Sequence, residues 1–351
     1  MFFLMKTVQP QESLSRMLIR TKQTMEFLAN FLTVAEKVVL LFLIIMVGFV
    51  CQRKGMLTEA ANKGIGDIVM YFVTPCVIIY AFSATLYARE ELLQMLKNIG
   101  LVALIATVVH VAMILAVCGI FRFSDENRRR IMRFAAVFSN AGFFALPLAQ
   151  ALIDTPVSRE GSLYAAVYLA VFNIVLWTWG YVDMSGDKKA MQIRKILLNP
   201  GIIGVTVGMA IFVSPLYLPA AGGLHLPGVL KDALSAMSAL NLPLPMLMVG
   251  YYLGKSDLLA AFKDKWSCLC IGLRLVVFPM ITLAILWLLG VRGNILVVSI
   301  ISASAPVGAT TTILSAKFGL DAELSVRLVS LSTILAILTM PLIVGLAQML
   351  A

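Results

Sequence analysis

Charge is what this sequence has least of. Only 13% of its 351 residues are Asp, Glu, Lys or Arg, roughly half the share of a soluble globular chain. That shortage excludes a water-facing surface over most of the molecule. Histidine is rarer still: His110 and His225 are the only two, so no histidine cage for a zinc ion can be assembled. The five cysteines (Cys51, Cys76, Cys118, Cys268 and Cys270) lie within or beside apolar segments, and none stands at ligand spacing from a histidine. They read as small hydrophobic residues rather than disulfides or metal ligands. Aspartate is missing from the interiors of the apolar segments, with Asp67 at a helix mouth. The string Gly64-Ile65-Gly66-Asp67 fits the motif of intramembrane aspartyl proteases, but that chemistry needs a second carboxyl to share a proton. The stretch GYYLGKS, Gly250 to Ser256, has the wrong glycine spacing for a phosphate loop and follows an apolar run, not a strand. No enzyme is expected, and no metal.

What the sequence has in abundance is apolar length. Hydrophobic residues make up 60% of the chain, arranged in blocks of about 18 to 25, the length that crosses about 30 Å of hydrocarbon. Ten spans are predicted, at 33–52, 65–84, 98–121, 135–153, 162–181, 200–218, 230–254, 268–290, 294–315 and 326–349. The chain reads as an all-α polytopic membrane protein whose first partner is the lipid bilayer.

The formal charge of +10 is no nucleic-acid footprint, because the basic residues sit between apolar blocks, where they orient a membrane chain. Odd-numbered loops carry Arg53, Lys54 and Lys63, then Arg122, Arg128, Arg129, Arg130 and Arg133, then Lys188, Lys189, Arg194 and Lys195, then Lys255, Lys263 and Lys265, then Lys317 and Arg327. Even-numbered loops carry only Arg89, Lys97, Arg159, Lys231 and Arg292. The positive-inside rule then puts the odd loops in the cytoplasm and both termini outside the cell membrane. Residues 1–30 hold Lys6, Arg16, Arg20 and Lys22 without a long apolar run. They read as an N-terminal tail, mobile or lying upstream of a natural start at Met25.

The basic loop 182–199 divides the chain into five spans at 31–181 and five at 200–351. Five is odd, so the halves must lie in opposite orientations. Pro75 in the second span answers to Pro243 and Pro245 in the seventh. "SNAGFFALP" in the fourth answers to "SASAPVGATTT" in the ninth. Inverted repeats with Gly/Pro-interrupted helices in matching places mark a secondary transporter. Gly142, Pro147 and Pro306 are the expected helix breakers. Broken fourth and ninth helices crossing in mid-bilayer would present half-helix N-termini, suited to a carboxylate.

Asn140 and Thr310 are the leading candidates to bind it, followed by Ser139, Ser304, Gly308 and Thr311. The bland alternatives are a helix–helix hydrogen bond for Asn140 and bonds to carbonyls one turn back for Thr310, Thr311 and Thr312. Arg274, a cation well inside a span, is read as snorkelling to the cytoplasmic face in preference to pairing with an anion. His110 is read as a neutral packing residue in preference to a proton relay.

The motif "SNAGFFALPL" resembles the fourth helix of the auxin efflux carrier family, in which an Asn precedes a Pro by seven residues, as Asn140 precedes Pro147. "SAPVGATTTILSAKFGLDAELSVRLVSLSTILAILTMPLI" resembles the family's ninth and tenth helices, and "LIIMVGFVCQRKGMLTEAANKGIGDIVMYFVTPCVIIYAFS" its first two. The resemblance covers residues 30–350. It implies the sodium/proton antiporter-like fold of bile acid and auxin transporters: two inverted five-helix repeats, a scaffold from spans 1, 2, 6 and 7, and a transport domain around the crossing of spans 4 and 9. It also implies passage of small organic anions. Bacterial members are often described as malate permeases, and plant members export auxin. Bacterial members often carry Asn four residues after the ninth-helix proline, where this chain has Thr310.

The expected function is therefore alternating-access transport of a small organic anion, a carboxylate. A cation/proton antiporter of similar fold and a membrane sensor without flux are the alternatives. No cofactor is expected. A coupling ion, H⁺ or Na⁺, stays open, as does a homodimer of the kind that occurs in the family.

Overall fold

A backbone that crosses hydrocarbon must satisfy its N–H and C=O groups internally, and this chain does so with helices. The computed structural model describes residues 9–84, 87, 89–155, 158–187, 189, 194, 197–218, 223–256 and 262–351. In chain order the elements are α1 (Gln9–Arg53), α2 (Glu59–Ser83), α3 (Arg89–Ile120), α4 (Glu126–Val137), α5 (Ala141–Ile153), α6 (Glu160–Ser185), α7 (Pro200–Tyr217), α8 (Gly228–Lys255), α9 (Lys265–Leu288), α10 (Gly293–Ser304), α11 (Thr310–Lys317) and α12 (Ala322–Leu350). Among the described residues, eight of these are long and apolar enough to cross a bilayer, and α5 and α10 are shorter apolar helices. Only 28% of the most apolar window of α1 and 33% of that of α3 is buried. Leu43, Leu104 and Leu115 are each more than half exposed, a surface that water would not tolerate and lipid tails cover. The protein is a multi-pass membrane protein.

Several boundaries differ from those expected. The first helix reaches back to Gln9, through most of the segment read as a tail; residues 1–8 lie outside the described residues, as do Lys188 and Lys195 of the expected linker. The basic cluster at 128–130, read as loop, forms the first turns of α4. Asp125 caps that helix by accepting the Asn127 and Arg128 amides, and Glu126 pairs with Arg129 and Arg130 one turn on.

Five helices that begin at odd-numbered loops are N-capped by a side chain: Thr58 for α2, Asp125 for α4, Asn199 for α7, Asp264 for α9 and Asp321 for α12. Burial would raise the pKa of Asp264. The Ser267 hydroxyl, the Trp266 amide and Arg128, whose guanidinium lies 2.5 Å away, outweigh it and hold the carboxyl below its ordinary value.

Three prolines shape their helices without ending them. Wide π-turns at Val69–Val73, Ala141–Ala145 and Leu273–Val277 each lie just before a proline, Pro75, Pro147 and Pro279. A proline ring strikes the carbonyl one turn back and offers no N–H; the wider turn moves that carbonyl aside and the helix continues. Pro147 is therefore no breaker, and Gly142 lies within the π-turn that accommodates it. The interruption falls earlier, at Phe138–Asn140.

Packing places the interrupted segments at the centre. α2 lies against α7 and α8, α1 against α8 and α12, and α4, α5, α10 and α11 sit among α3, α6, α9 and α12. Residues 296–304 of α10 are all buried, as are Ile131, Met132 and 134–137 of α4. Without a hydrophobic drive in lipid, helices adhere by close approach at small residues. A Cβ at Gly250 would stand 2.1 Å from the Ile45 carbonyl oxygen, and one at Gly48 2.3 Å from that of Leu247. Gly250→Val is accordingly expected to separate α1 from α8 and to destabilise the protein by about 1–3 kcal/mol, read as a lower unfolding temperature in detergent. Gly100→Ala, where an added Cβ meets open space, is the control that leaves it unchanged or raised.

Candidate functional site

The two interruptions lie side by side. Phe138–Asn140 separates α4 from α5, and Ala305–Ala309 separates α10 from α11. Ser139 and Val307 form an antiparallel bridge. The Asn140 amide donates to the Pro306 carbonyl at 2.7 Å, and the Gly308 amide to the Phe138 carbonyl at 3.0 Å. The Val307 amide donates to the Ser332 hydroxyl of α12 at 3.0 Å. Each break thus supplies the partners that the other lost, the condition for non-helical backbone at membrane depth. Pro306 suits its place because it brings no amide to satisfy and its carbonyl accepts. Gly308 is set by space: a Cβ there would lie 2.9 Å from the Ser139 carbonyl oxygen and 3.3 Å from that of Phe138.

The crossing borders a cavity of about 90 Å³. Ser139 to Phe143 form one wall and Gly308, Ala309 and Thr310 the next; Met70 and Thr74 of α2, Leu169, Phe172 and Asn173 of α6, and Asn199 and Gly201 at the start of α7 complete it. The N-termini of α5 and α11 open onto it; in α11 the Thr311 and Thr312 amides are already turned onto the Gly308 and Ala309 carbonyls, at 3.0 and 3.1 Å. Two donors are left over: the Asn140 amide nitrogen and the Thr310 hydroxyl have no hydrogen-bond partner, although Asn140 is only 4% exposed. Buried polar groups are ordinarily paired; these two are not, and neither are the Thr311 and Thr312 hydroxyls beside them.

Residues 33–344 match the family model described as membrane transport protein. This chain is a transporter of the auxin efflux carrier family. An uncharacterized transporter of Methanocaldococcus jannaschii is 21% identical over 311 residues, covering 88% of this chain and 96% of that protein. One of Methanothermobacter thermautotrophicus is 22% identical over 321 residues, covering 89% and 98%. A rice protein described as probable auxin efflux carrier component 5b is 26% identical over 132 residues, 37% of this chain and 34% of the carrier.

Of the residues expected at the transporter's site, Ser139, Asn140, Gly142, Gly308 and Thr310 line the cavity. Ser304 and Thr311 do not. The Ser304 hydroxyl donates to the Ile300 and Ile301 carbonyls of its own helix, and Thr311 is fully buried beside the cavity without lining it. Two contributors were missed, Asn173 and Asn199. A lone Asn inside the apolar run "AVFNIVLW" was the available signal for the first. Asn199 precedes Pro200 as an ordinary helix cap and does that work, accepting the Gly201 amide at 2.9 Å, while also reaching the cavity.

Arg274 does not snorkel. It is 1% exposed and sits behind the crossing. Its Nε donates to the Ala305 carbonyl at 3.1 Å, Nη1 to those of Val137 and Ala136 at 3.0 and 3.4 Å, and Nη2 to those of Ser302, at 3.5 Å, and Ala303. α9 runs beside α4 and α10 here, so the carbonyls left at their C-termini are closer than the bilayer face. His110 is also buried, with Nδ1 donating to the Ala106 carbonyl at 2.7 Å and its ring among Phe138, Tyr168 and Phe172. It packs under the wall of the cavity and does not line it.

Because the two breaks touch at Gly308, Gly308→Ala is expected to force them apart. The outcome is a lower unfolding temperature and faster exchange of the Asn140 amide, measured by hydrogen–deuterium exchange, than in a Gly142→Ala control, whose Cβ would meet only Leu169 at 3.5 Å.

Proposed function

We propose that this transporter carries small organic anions, carboxylates, across the cytoplasmic membrane by alternating access. The observation that carries the reading is the unpartnered Asn140 amide and Thr310 hydroxyl at a cavity onto which two helix N-termini open. Each N-terminus bears about half a positive elementary charge, and oriented amides there accept an anion without a cationic side chain. Asn140 and Thr310, in the field of the positive ends of α5 and α11, hold the carboxylate; Met70, Phe143, Leu169 and Phe172 surround the rest of the molecule.

The crossing joins two halves of five spans in opposite orientation, residues 31–181 and 200–351. α1, α2, α7 and α8 act as scaffold, and α4, α5, α10 and α11 move with the helices around them. The cavity lies between α2 and α7 of the one group and α5, α6 and α11 of the other, so movement between them would open it to either side. Basic residues on the odd-numbered loops, with few on the even ones, put those loops in the cytoplasm and both termini outside.

The test is a thermal-shift screen of purified protein against carboxylates, followed by flux into liposomes with imposed Na⁺ and pH gradients. A carboxylate is expected to raise the unfolding temperature and to be transported. Asn140→Ala is expected to abolish that shift while keeping the fold; Ser304→Ala, whose hydroxyl stays on its own helix, is expected to retain it. Gradient dependence of the flux separates ion-coupled transport from uniport. Unchanged ligand affinity in Asn140→Ala removes Asn140 from the site, and cation-for-proton exchange without carboxylate flux contradicts the reading.

A further inference from the structure

Four helix ends meet at the crossing, and they do not face the same way. α4 and α10 arrive with C-terminal carbonyls, α5 and α11 leave with N-terminal amides. Each end is equivalent to about half an elementary charge, so the carbonyl ends sum to about −1 and the amide ends to about +1. Left to themselves these would largely cancel within a few ångströms. Arg274 alters the sum. Its guanidinium is bonded to Ala136 and Val137 at the end of α4, to Ser302 and Ala303 at the end of α10, and to Ala305 in the break. A full positive charge therefore lies on the carbonyl side, walled off from the cavity. The cavity itself is lined by no Asp, Glu, Lys, Arg or His.

We propose that Arg274 sets the charge selectivity of this transporter. By neutralising the C-terminal ends of α4 and α10 it leaves the N-termini of α5 and α11 uncompensated toward the cavity, which makes the site specific for singly charged carboxylates over doubly charged ones. The inference rests on the anion-carrying reading above and adds to it the charge of the substrate and the residue that fixes it. A monoanion matches the charge of about +1 and takes the donors of Asn140 and Thr310. A second carboxylate on the same molecule would lie against Met70, Phe143, Leu169 and Phe172, or against the neutral amides of Asn173 and Asn199. No positive charge stands on that wall, and burying an unpaired carboxylate costs several kcal/mol. Arg274 is a positioning residue: it touches the helix ends and not the substrate.

Calorimetric titration of the purified, full-length protein with butanoate and succinate, which have the same number of carbons, tests this. Near neutral pH butanoate is expected to bind at least about 100-fold more tightly than succinate, and lowering the pH until succinate carries one proton is expected to narrow the gap. Arg274→Gln, which removes the charge, is expected to lower butanoate affinity by about tenfold or more. Arg274→Lys restores the charge, with fewer bonds to the carbonyls, and is expected to recover the preference for butanoate. Should Arg274→Gln fail to fold, the wild-type ratio and its pH dependence decide. Succinate bound as tightly as butanoate by the wild type, or a folded Arg274→Gln with both affinities unchanged, overturns the proposal while leaving anion transport standing. Binding of neither compound, nor of any carboxylate in the screen, overturns the anion reading itself.

Discussion

An unpaired peptide group in hydrocarbon costs several kcal/mol, and four helix ends leave such groups near the middle of this protein. The rest of the structure follows from how they are satisfied. The breaks of α4/α5 and α10/α11 bond to one another through Asn140 to Pro306 and Phe138 to Gly308, and α12 contributes the Ser332 hydroxyl. The C-terminal carbonyls go to Arg274. The Asn140 side-chain amide and the Thr310 hydroxyl are left over, beside the N-termini of α5 and α11, and both residues line the cavity. The function proposed here thus starts from two donors at the crossing that the protein leaves unsatisfied.

The same constraint explains the choice of residues at the crossing. Pro306 brings no donor, Gly308 lets the two breaks approach, and Asn140 adds an amide side chain where its own backbone is already paired across the crossing. Pro75, Pro147 and Pro279 fall just after π-turns and leave their helices continuous. The cuts are confined to the crossing, where each break bonds to the other.

Much of this is legible in the sequence because it violates the apolar pattern. Asn140, Pro306, Gly308 and Thr310 stand out inside segments long enough to span a bilayer, and the cavity gathers three of the four. The family was legible from the motifs around them, in order along the chain. What stayed hidden depends on phase and on neighbours. Ser304 and Thr311 belong to the right segment, but helix geometry turns them off the cavity. Pro147 could end a helix or widen a turn, and only packing decides which. Arg274 lies within reach of a bilayer face by count of residues; that α9 runs behind the crossing, with five carbonyls nearer than water, is a fact of tertiary structure. Asn199 reads as a helix cap and is one, so nothing in the sequence marks its second role.

The most direct measurement is an experimental density map of the protein with a bromine-substituted monocarboxylate bound. The account predicts two interrupted helices, the Arg274 guanidinium against the ends of α4 and α10, and the carboxylate between Asn140 and Thr310. Continuous helices through residues 138–140 and 305–309, or a ligand whose carboxylate lies on Arg274, would contradict it.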